Sequence, residues 1–328
     1  MDWKYEIEKI ICCPKCKNTL ISSNGDLFCQ NCNQRFRKNG FLNLLPNQKN
    51  NFIKIEEKFW DQTYIQEGER DVNNRNSIFH LHFRKPLLNL PDNSLILELG
   101  CGNRADALEI AKTHKQIIET DISPAALKLS KQLSRKMNVF ENVYFIQASA
   151  ENLPFVDNSF SGVLMAAAFH HIEKPLAGLK EIKRVSKHNG LVVFGVEPNA
   201  WPYKTIYRWL KPVKKYIRNH RQRDYDSIAD DNTNGFNKKD FINLFQKAGI
   251  ELVEIKPVKF TLEFYDSYIR LIDRLTKNKH KQSVKVVKFL ENLDESLAKI
   301  PIIKNFFWHW NVIGRVNKEN NEISGKNV

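Results

Sequence analysis

The apolar positions of this chain fall into short continuous runs separated by segments of helical period. Leu95 to Leu99, Gln116 to Asp121, Val143 to Gln147, Phe160 to Ala168 and Leu191 to Val196 are such runs. Runs of this length, rich in β-branched and aromatic residues, predict strands buried on both faces. Between them, Ala105 to His114 and Pro175 to Ser186 predict helices, as does the segment opened by Ser123-Pro124. Ser123 suits an N-cap and Pro124 the first helical position. Strands alternating with helices predict an α/β fold, a doubly wound and mostly parallel sheet.

The pattern also divides the chain. Residues 1–46 carry five of the six cysteines, and 47–51 form a polar linker. Phe52, Ile55, Phe59, Trp60 and Tyr64 lie near helical spacing, so residues 47–75 read as linker and helix. Residues 76–257 read as the α/β core, closed by a last helix–strand pair over Phe236 to Pro257 and interrupted by an insertion at 200–235. Residues 258–328 read as a helical extension, with helices over Phe260 to Leu275 and Ser283 to Leu297. Ile300 to Val312, apolar and aromatic, is assigned to the same extension.

Within the core, the first strand runs into Gly100-Cys101-Gly102. Glycines there let the backbone turn sharply and approach a ligand. The second strand ends in Asp121, 21 residues after Gly100. A carboxylate at that place can accept hydrogen bonds from both hydroxyls of a ribose, or can cap the following helix. The turn Lys187-His188-Asn189-Gly190 separates the fourth helix-and-strand unit from the fifth strand.

In the N-terminal segment, Cys13-Pro14-Lys15-Cys16 and Cys29-Gln30-Asn31-Cys32 are two C-x2-C pairs with twelve residues between them. Two such knuckles complete a tetrahedral thiolate site, which predicts a structural Zn²⁺ held by Cys13, Cys16, Cys29 and Cys32. Cys12 is surplus to that site. Cysteines in metal spacing predict a reducing compartment, the cytoplasm. The first residues carry acid and no apolar signal region, so no secretion signal is expected. No apolar run approaches a membrane span.

The net charge is +14. It suits an anionic partner such as RNA, a membrane surface or a phosphorylated substrate, or reflects only a Lys- and Asn-rich composition. Trp201 to Arg223 carries eight Lys/Arg and no acid, with interleaved aromatics. A membrane-surface helix, a nucleic-acid contact, a substrate lid or a packed helix with a solvated face each fit that pattern.

In order along the chain, Glu98-x-Gly-x-Gly, Asp121-Ile-Ser-Pro, Ser149-Ala-Glu-x-Leu-Pro-Phe and Phe169-His-His-Ile resemble the type 11 family of S-adenosylmethionine-dependent methyltransferases. Quinone and sugar methyltransferases are among its members. The cysteine segment resembles the zinc ribbon of rRNA guanine methyltransferases. The resemblance implies S-adenosylmethionine as cofactor. Glu98, Gly100 and Gly102 would hold its methionine end and Asp121 its ribose. Ile122, Ser149, Ala150 and Glu151 would surround the adenine, and Ala166 would lie beside the cofactor. Phe59-Trp60-Asp61 and Tyr64 resemble a lid helix, although a helix that only packs has the same spacing. Arg104 stands where the family has a third glycine, and Ser161 where an Asp is common.

Methyl transfer to an oxygen of high pKa needs a base. His170 and His171 follow the fourth strand, at the end of the sheet where ligands bind, and an imidazole titrates in the right range. His170 is therefore the candidate base, with a helix-capping role as the alternative; His171 and Glu197 are candidate helpers. His80, His82, His114 and His188 read as surface residues. No Asn/Asp-Pro-Pro-Tyr/Phe motif and no cysteine follow the fourth strand, which speaks against methylation of an exocyclic base amine or of cytosine C5. The expected acceptor is a small molecule, lipid or sugar. An RNA base is the competing expectation, and a zinc-ribbon binding protein without catalysis the third.

Overall fold

The computed structural model describes residues 3–23, 26–37, 40–46, 50–68, 77–103, 106–202, 204–205, 227, 235–276, 278 and 280–318. The predicted strands form β5 (Leu95–Leu99), β6 (Gln116–Asp121), β7 (Val143–Gln147), β8 (Phe160–Ala166) and β9 (Ser186–Pro198). They pair in parallel in the order β9-β8-β5-β6-β7. Period-two alternation sends neighbouring residues to opposite faces. Leu97 and Leu99 pack with Val163, Met165, Val192 and Phe194 on one face, while Ile96 packs with Ile117, Leu164 and Val193 on the other.

Helices cover both faces. On the Ile96 side lie α3 (Ile78–Leu88), α4 (Asp106–Ala111) and α5 (Pro124–Lys136). On the Leu97 side lie α6 (Pro175–Val185) and α7 (Lys238–Ala248). Ser123 caps α5 as expected, its hydroxyl accepting from the Ala126 amide. Helix α7 opens with a reciprocal Asn237–Asp240 capping box and ends at left-handed Gly249. Phe83 of α3 lies directly on the backbone of Gly195, where a Cβ would come within 2.5 Å of its ring.

Three features differ from expectation. The Lys187–Gly190 turn lies within the long strand β9, with left-handed Asn189 and a register shift on the β8 side. The extension over 258–328 does form two helices, α8 (Thr261–Thr276) and α9 (Val284–Leu297), but its apolar end is not helical. His309–Arg315 forms strand β11, which inserts antiparallel between β9 and β10 (Glu251–Val258). The helical hairpin α8–α9 thus interrupts the chain between two strands of the sheet. An apolar segment without helical period was a buried central strand.

The cysteine segment is joined to the sheet. It holds α1 (Trp3–Ile10), a meander of β1 (Ile21–Ser23), β2 (Asp26–Cys29) and β3 (Gln34–Phe36), and then β4 (Leu42–Asn43). Strand β4 pairs in parallel with β7 and makes the eighth strand of the main sheet. Ile7, Ile11, Cys13, Cys29, Phe36 and Leu42 share one core with Leu97, Phe155 and Phe160. Lys17 adds an ion pair to Glu181 of α6 at 2.7 Å. The predicted linker helix is α2 (Asn51–Glu67), capped by Asn50.

Candidate active site

The C-terminal ends of the parallel strands surround a cavity of about 340 Å³. This is the end of an open α/β sheet at which ligands bind, and the size is within the roughly 300–1,000 Å³ of small-molecule pockets. Gly100, Gly102, Asp121, Ile122, Ser149, Ala150, Glu151, Ala166, His170 and His171 all line it. The structure therefore brings together ten of the twelve residues expected at the site. The other two, Glu98 and Glu197, are buried behind the wall.

The glycine turn explains itself locally. Gly100 (φ +72°) and Gly102 (φ +55°) are both left-handed, a region other residues enter at a cost. The amides of Gly100 and Cys101 donate to the Thr120 carbonyl at 2.8 and 3.1 Å. The Gly102 amide donates to Asp121 Oδ2 at 2.9 Å, and the Ser123 amide to Oδ1 at 2.8 Å. Asp121 thus clamps the two first strand ends together. Burial pushes its carboxyl up to about 6, against the lowering effect of those two amides.

On the opposite wall, Glu197 fixes the segment that carries the histidines. Its Oε1 accepts from the amides of Ala168 and Phe169 at 2.8 and 2.9 Å, and its Oε2 from the amide of His170 at 3.2 Å. The same Oε2 lies 2.9 Å from His170 Nδ1. Because Glu197 is wholly buried and already accepts three N–H groups, an acceptor role toward Nδ1 is the consistent one. The Nδ1 proton then faces Glu197, and Nε2 is the ring nitrogen that Glu197 does not engage. The neighbouring backbone is strained: Ala167 (φ +48°) and Val196 (φ +54°) are both left-handed without being glycine. Ala167 donates to the Gly195 carbonyl at 2.7 Å, and Val196 to the side chain of Asn311 at 2.8 Å.

Helix α2 forms the roof. Phe52, Ile53, Trp60 and Tyr64 line the cavity. Trp60 stacks on Tyr64, with ring centroids 5.4 Å apart, and meets His171 edge-on at 5.0 Å. Glu56 accepts from Trp60 Nε1 and from the hydroxyl of Ser227, and approaches His171 Nδ1 at 3.8 Å. Asp61 accepts from the Ser123 hydroxyl and the Ala125 amide, so the roof is bonded to the start of α5.

His309 is a cavity residue that the sequence did not point to. It lines the cavity from the start of β11, and only the long-range pairing of that strand brings it there. No local signal marked it. His80 and His82 are not surface residues: His80 Nδ1 lies 2.8 Å from buried Asp106, and His82 sits between Glu254 and Asn311. Ser161 lies on β8 and is not part of the cavity wall. Arg104 and nearly all of the basic insertion, residues 203, 206–226 and 228–234, lie outside the described residues.

A second centre is formed by Cys13, Cys16, Cys29 and Cys32, whose sulfur atoms all lie within 4.8 Å of one another. Cys16 and Cys29 sulfurs are 3.5 Å apart and no disulfide joins them. Four thiolates about 2.3 Å from one ion would stand roughly 3.8 Å apart, so the cluster fits a tetrahedral metal. Lys17 and Asn33, each following the second cysteine of its pair, are both left-handed. The two knuckles therefore share one turn geometry.

Residues 97–194 match the type 11 methyltransferase domain. A demethylmenaquinone methyltransferase of Staphylococcus haemolyticus is 26% identical over 172 residues, half of this chain and 71% of the relative. A ubiquinone/menaquinone biosynthesis C-methyltransferase of Rickettsia typhi is 36% identical over 111 residues, 32% of this chain and 45% of the relative. A solved methyltransferase structure from Galdieria sulphuraria superimposes with a TM-score of 0.50 at 15% identity, covering 72% of this chain and 84% of that one; it shows the fold alone.

Proposed function

We propose that this chain, an S-adenosylmethionine-dependent methyltransferase whose residues 97–194 are a type 11 methyltransferase domain, methylates a hydroxyl-bearing acceptor with His170 as base. The observation that carries the base assignment is the His170–Glu197 pair at the cavity wall. Glu197 holds the imidazole in one tautomer and one orientation, which leaves Nε2 to take a proton from the acceptor. His171, held between Trp60 and His170, borders the same space.

The cavity fits the cofactor. Gly100 and Gly102 would hold its methionine end, with Glu98 supporting the turn from behind. Asp121 keeps acceptor capacity for the ribose hydroxyls beyond its two amide bonds. Ile122, Ser149, Ala150 and Glu151 would border the adenine, and Ala166 the sulfur. When bound, S-adenosylmethionine supplies a methyl group already activated on a sulfonium. The protein's share is alignment, exclusion of water under α2, and removal of the acceptor proton.

The acceptor is a small molecule, lipid or sugar, and the aromatic roof of Phe52, Trp60 and Tyr64 favours an apolar or aromatic one. Oxygen is the proposed acceptor atom. Carbon is the second reading, supported by the C-methyltransferase relative, because deprotonating a phenol also makes its ring carbon nucleophilic. We assign the four-cysteine cluster to structural Zn²⁺. The test is methyl incorporation into simple phenols, quinols, sugars and RNA, with product analysis. Activity on RNA alone, unchanged in His170→Ala, would replace this reading with that of a base methyltransferase.

A further inference from the structure

Exposed apolar side chains are ordinary when scattered, and informative when gathered in one place. Among the described residues, Phe264, Tyr268, Leu271, Leu275, Val284, Val286, Phe289, Ile300, Ile302 and Phe306 are all exposed, and all belong to α8, α9 and the segment that follows. The hairpin has an inner face of its own: Leu262, Tyr265, Val287 and Leu290 pack with Phe79 and Val258. On α8, Phe264, Tyr268, Leu271 and Leu275 stand at i, i+4, i+7 and i+11, a single stripe separate from that inner face. Leu275 is 75% exposed and Phe289 66%.

Charge is segregated in the same hairpin. From Arg274 to Lys288 the sequence has six Lys/Arg and no acid. Every acid of the two helices has a hydrogen-bond or ion-pair partner other than Lys281, Lys285 and Lys288. Glu263 pairs with Arg270, Asp266 with Lys259, and Asp273 with His280. Glu291 accepts from the Ile78 amide, Asp294 accepts from the amides that open α8, and Glu295 pairs with Lys256. Lys281, Lys285 and Lys288 are exposed. Val284 and Phe289 interleave with Lys285 and Lys288 on the exposed arc of α9, an arrangement in which lysine stems cover apolar surface and their ammonium groups reach outward.

The stripe continues to the active site. Phe264 meets Trp308 edge-on with centroids 5.8 Å apart, Trp308 precedes His309, and His309 Nδ1 lies 4.0 Å from Glu263. The first turn of α8 therefore abuts the cavity wall.

We propose that the outer face of the α8–α9 hairpin docks on a bilayer surface containing anionic phospholipid. An apolar stripe bordered by exposed lysines matches an acyl boundary beneath negative headgroups. A second copy of the chain would set Lys281, Lys285 and Lys288 against themselves, and an RNA would leave the Leu and Phe side chains unused. The docking stands apart from the catalytic reading. The further step, that an acceptor dissolved in the bilayer enters past Trp308 and His309, rests on it.

The test is flotation of the full-length protein with vesicles of phosphatidylcholine alone and of phosphatidylcholine with phosphatidylglycerol. Wild type is expected on the anionic vesicles only, with binding that falls as salt rises. Leu271→Glu/Phe289→Glu and Lys285→Glu/Lys288→Glu should each weaken it by roughly tenfold or more. Calorimetry with S-adenosylhomocysteine should be the same in wild type and both variants, which establishes that they are folded. Absence of vesicle binding, or binding indifferent to the Leu271/Phe289 change, overturns the proposal. So does a dimer in sedimentation velocity that the same change converts to monomer while no vesicle is bound. Vesicle binding lost in the variants, in a protein that never binds S-adenosylhomocysteine, supports the docking face and counts against the methyltransferase site alone.

Discussion

Gln147 donates its side-chain amide to Glu57 across 3.0 Å, and this one bond ties strand β7 to the roof of the cavity. The same amide nitrogen donates to the Ile122 carbonyl at 2.8 Å, and the Gln147 backbone carbonyl accepts from Leu44, just past β4. The cysteine module, the Ile122 side of the cavity and helix α2 thus meet at one buried residue.

Metal removal should therefore be felt at the active site. The knuckles have too little core of their own to hold β4 in place without the ion. Chelation, or Cys29→Ser, is expected to lower the melting temperature by several degrees, and to weaken S-adenosylhomocysteine binding through Gln147 and Glu57. Metal analysis should give one Zn²⁺ per chain. Unchanged melting and cofactor affinity after complete metal loss would show the module to be a passive appendage.

His170→Ala is expected to lower kcat by about 10²- to 10⁴-fold with cofactor affinity unchanged. Glu197→Gln should also lower kcat, since it removes the acceptor that fixes the imidazole tautomer. It leaves an amide where three backbone N–H groups converge, so its melting temperature should fall as well. Single-turnover methyl transfer beside calorimetry separates the two effects.

Asp121 is expected to make cofactor binding depend on pH. Burial raises its carboxyl to about 6 in the ligand-free fold, so below that pH it is neutral and a poorer acceptor for ribose hydroxyls. The dissociation constant for S-adenosylhomocysteine should rise by about tenfold per pH unit below pH 6 and be flat above it. For the ligand-free protein the sign is reversed. A raised carboxyl contributes stability that is full in acid below the ordinary carboxylate value and is lost as pH rises through about 6. Cofactor should therefore raise the melting temperature more at pH 8 than at pH 5.

Asn311 supports the backbone beside Glu197 from a distance. Its Oδ1 accepts from the Val196 amide and its Nδ2 donates to the Phe79 carbonyl, both at 2.8 Å, and it is fully buried. Val196 is β-branched and left-handed, a conformation that needs an external hold. Asn311→Ala should cost about 2–3 kcal/mol of stability by orphaning two buried groups. It should also lower kcat more than it raises the Kd for S-adenosylhomocysteine, because Glu197 follows Val196. Chemical denaturation and steady-state kinetics check both.

Much of the sheet was legible because β5 to β8 are continuous apolar runs whose neighbours in space are near in sequence. The cavity-lining residues were legible for a related reason: Gly100, Asp121, Ser149 and His170 stand at, or within four residues of, the C-terminal end of a strand, and the ends of parallel strands converge. Glu197 was legible as a strand end, but its contact with His170 was not. That contact depends on the left-handed turn at Val196, which no propensity favours. His309 and β11 were invisible because Ile300–Val312 has neither strand alternation nor a partner nearby. The docking of β4 on β7 was hidden for a similar reason: two residues carry it, and their partners are about a hundred positions away.

Strand β11 also sets a schedule for the chain as it is made. Its place between β9 and β10 stays vacant until residue 315 has emerged, long after both neighbours and the hairpin α8–α9 have been synthesised. During that interval β9 presents an open, apolar edge of the kind that invites pairing with other chains. Shortened proteins ending before His309 would keep that edge for good, together with a Val196 turn that nothing holds. Such fragments should be prey for chaperones and proteases even though all of residues 97–194 are present.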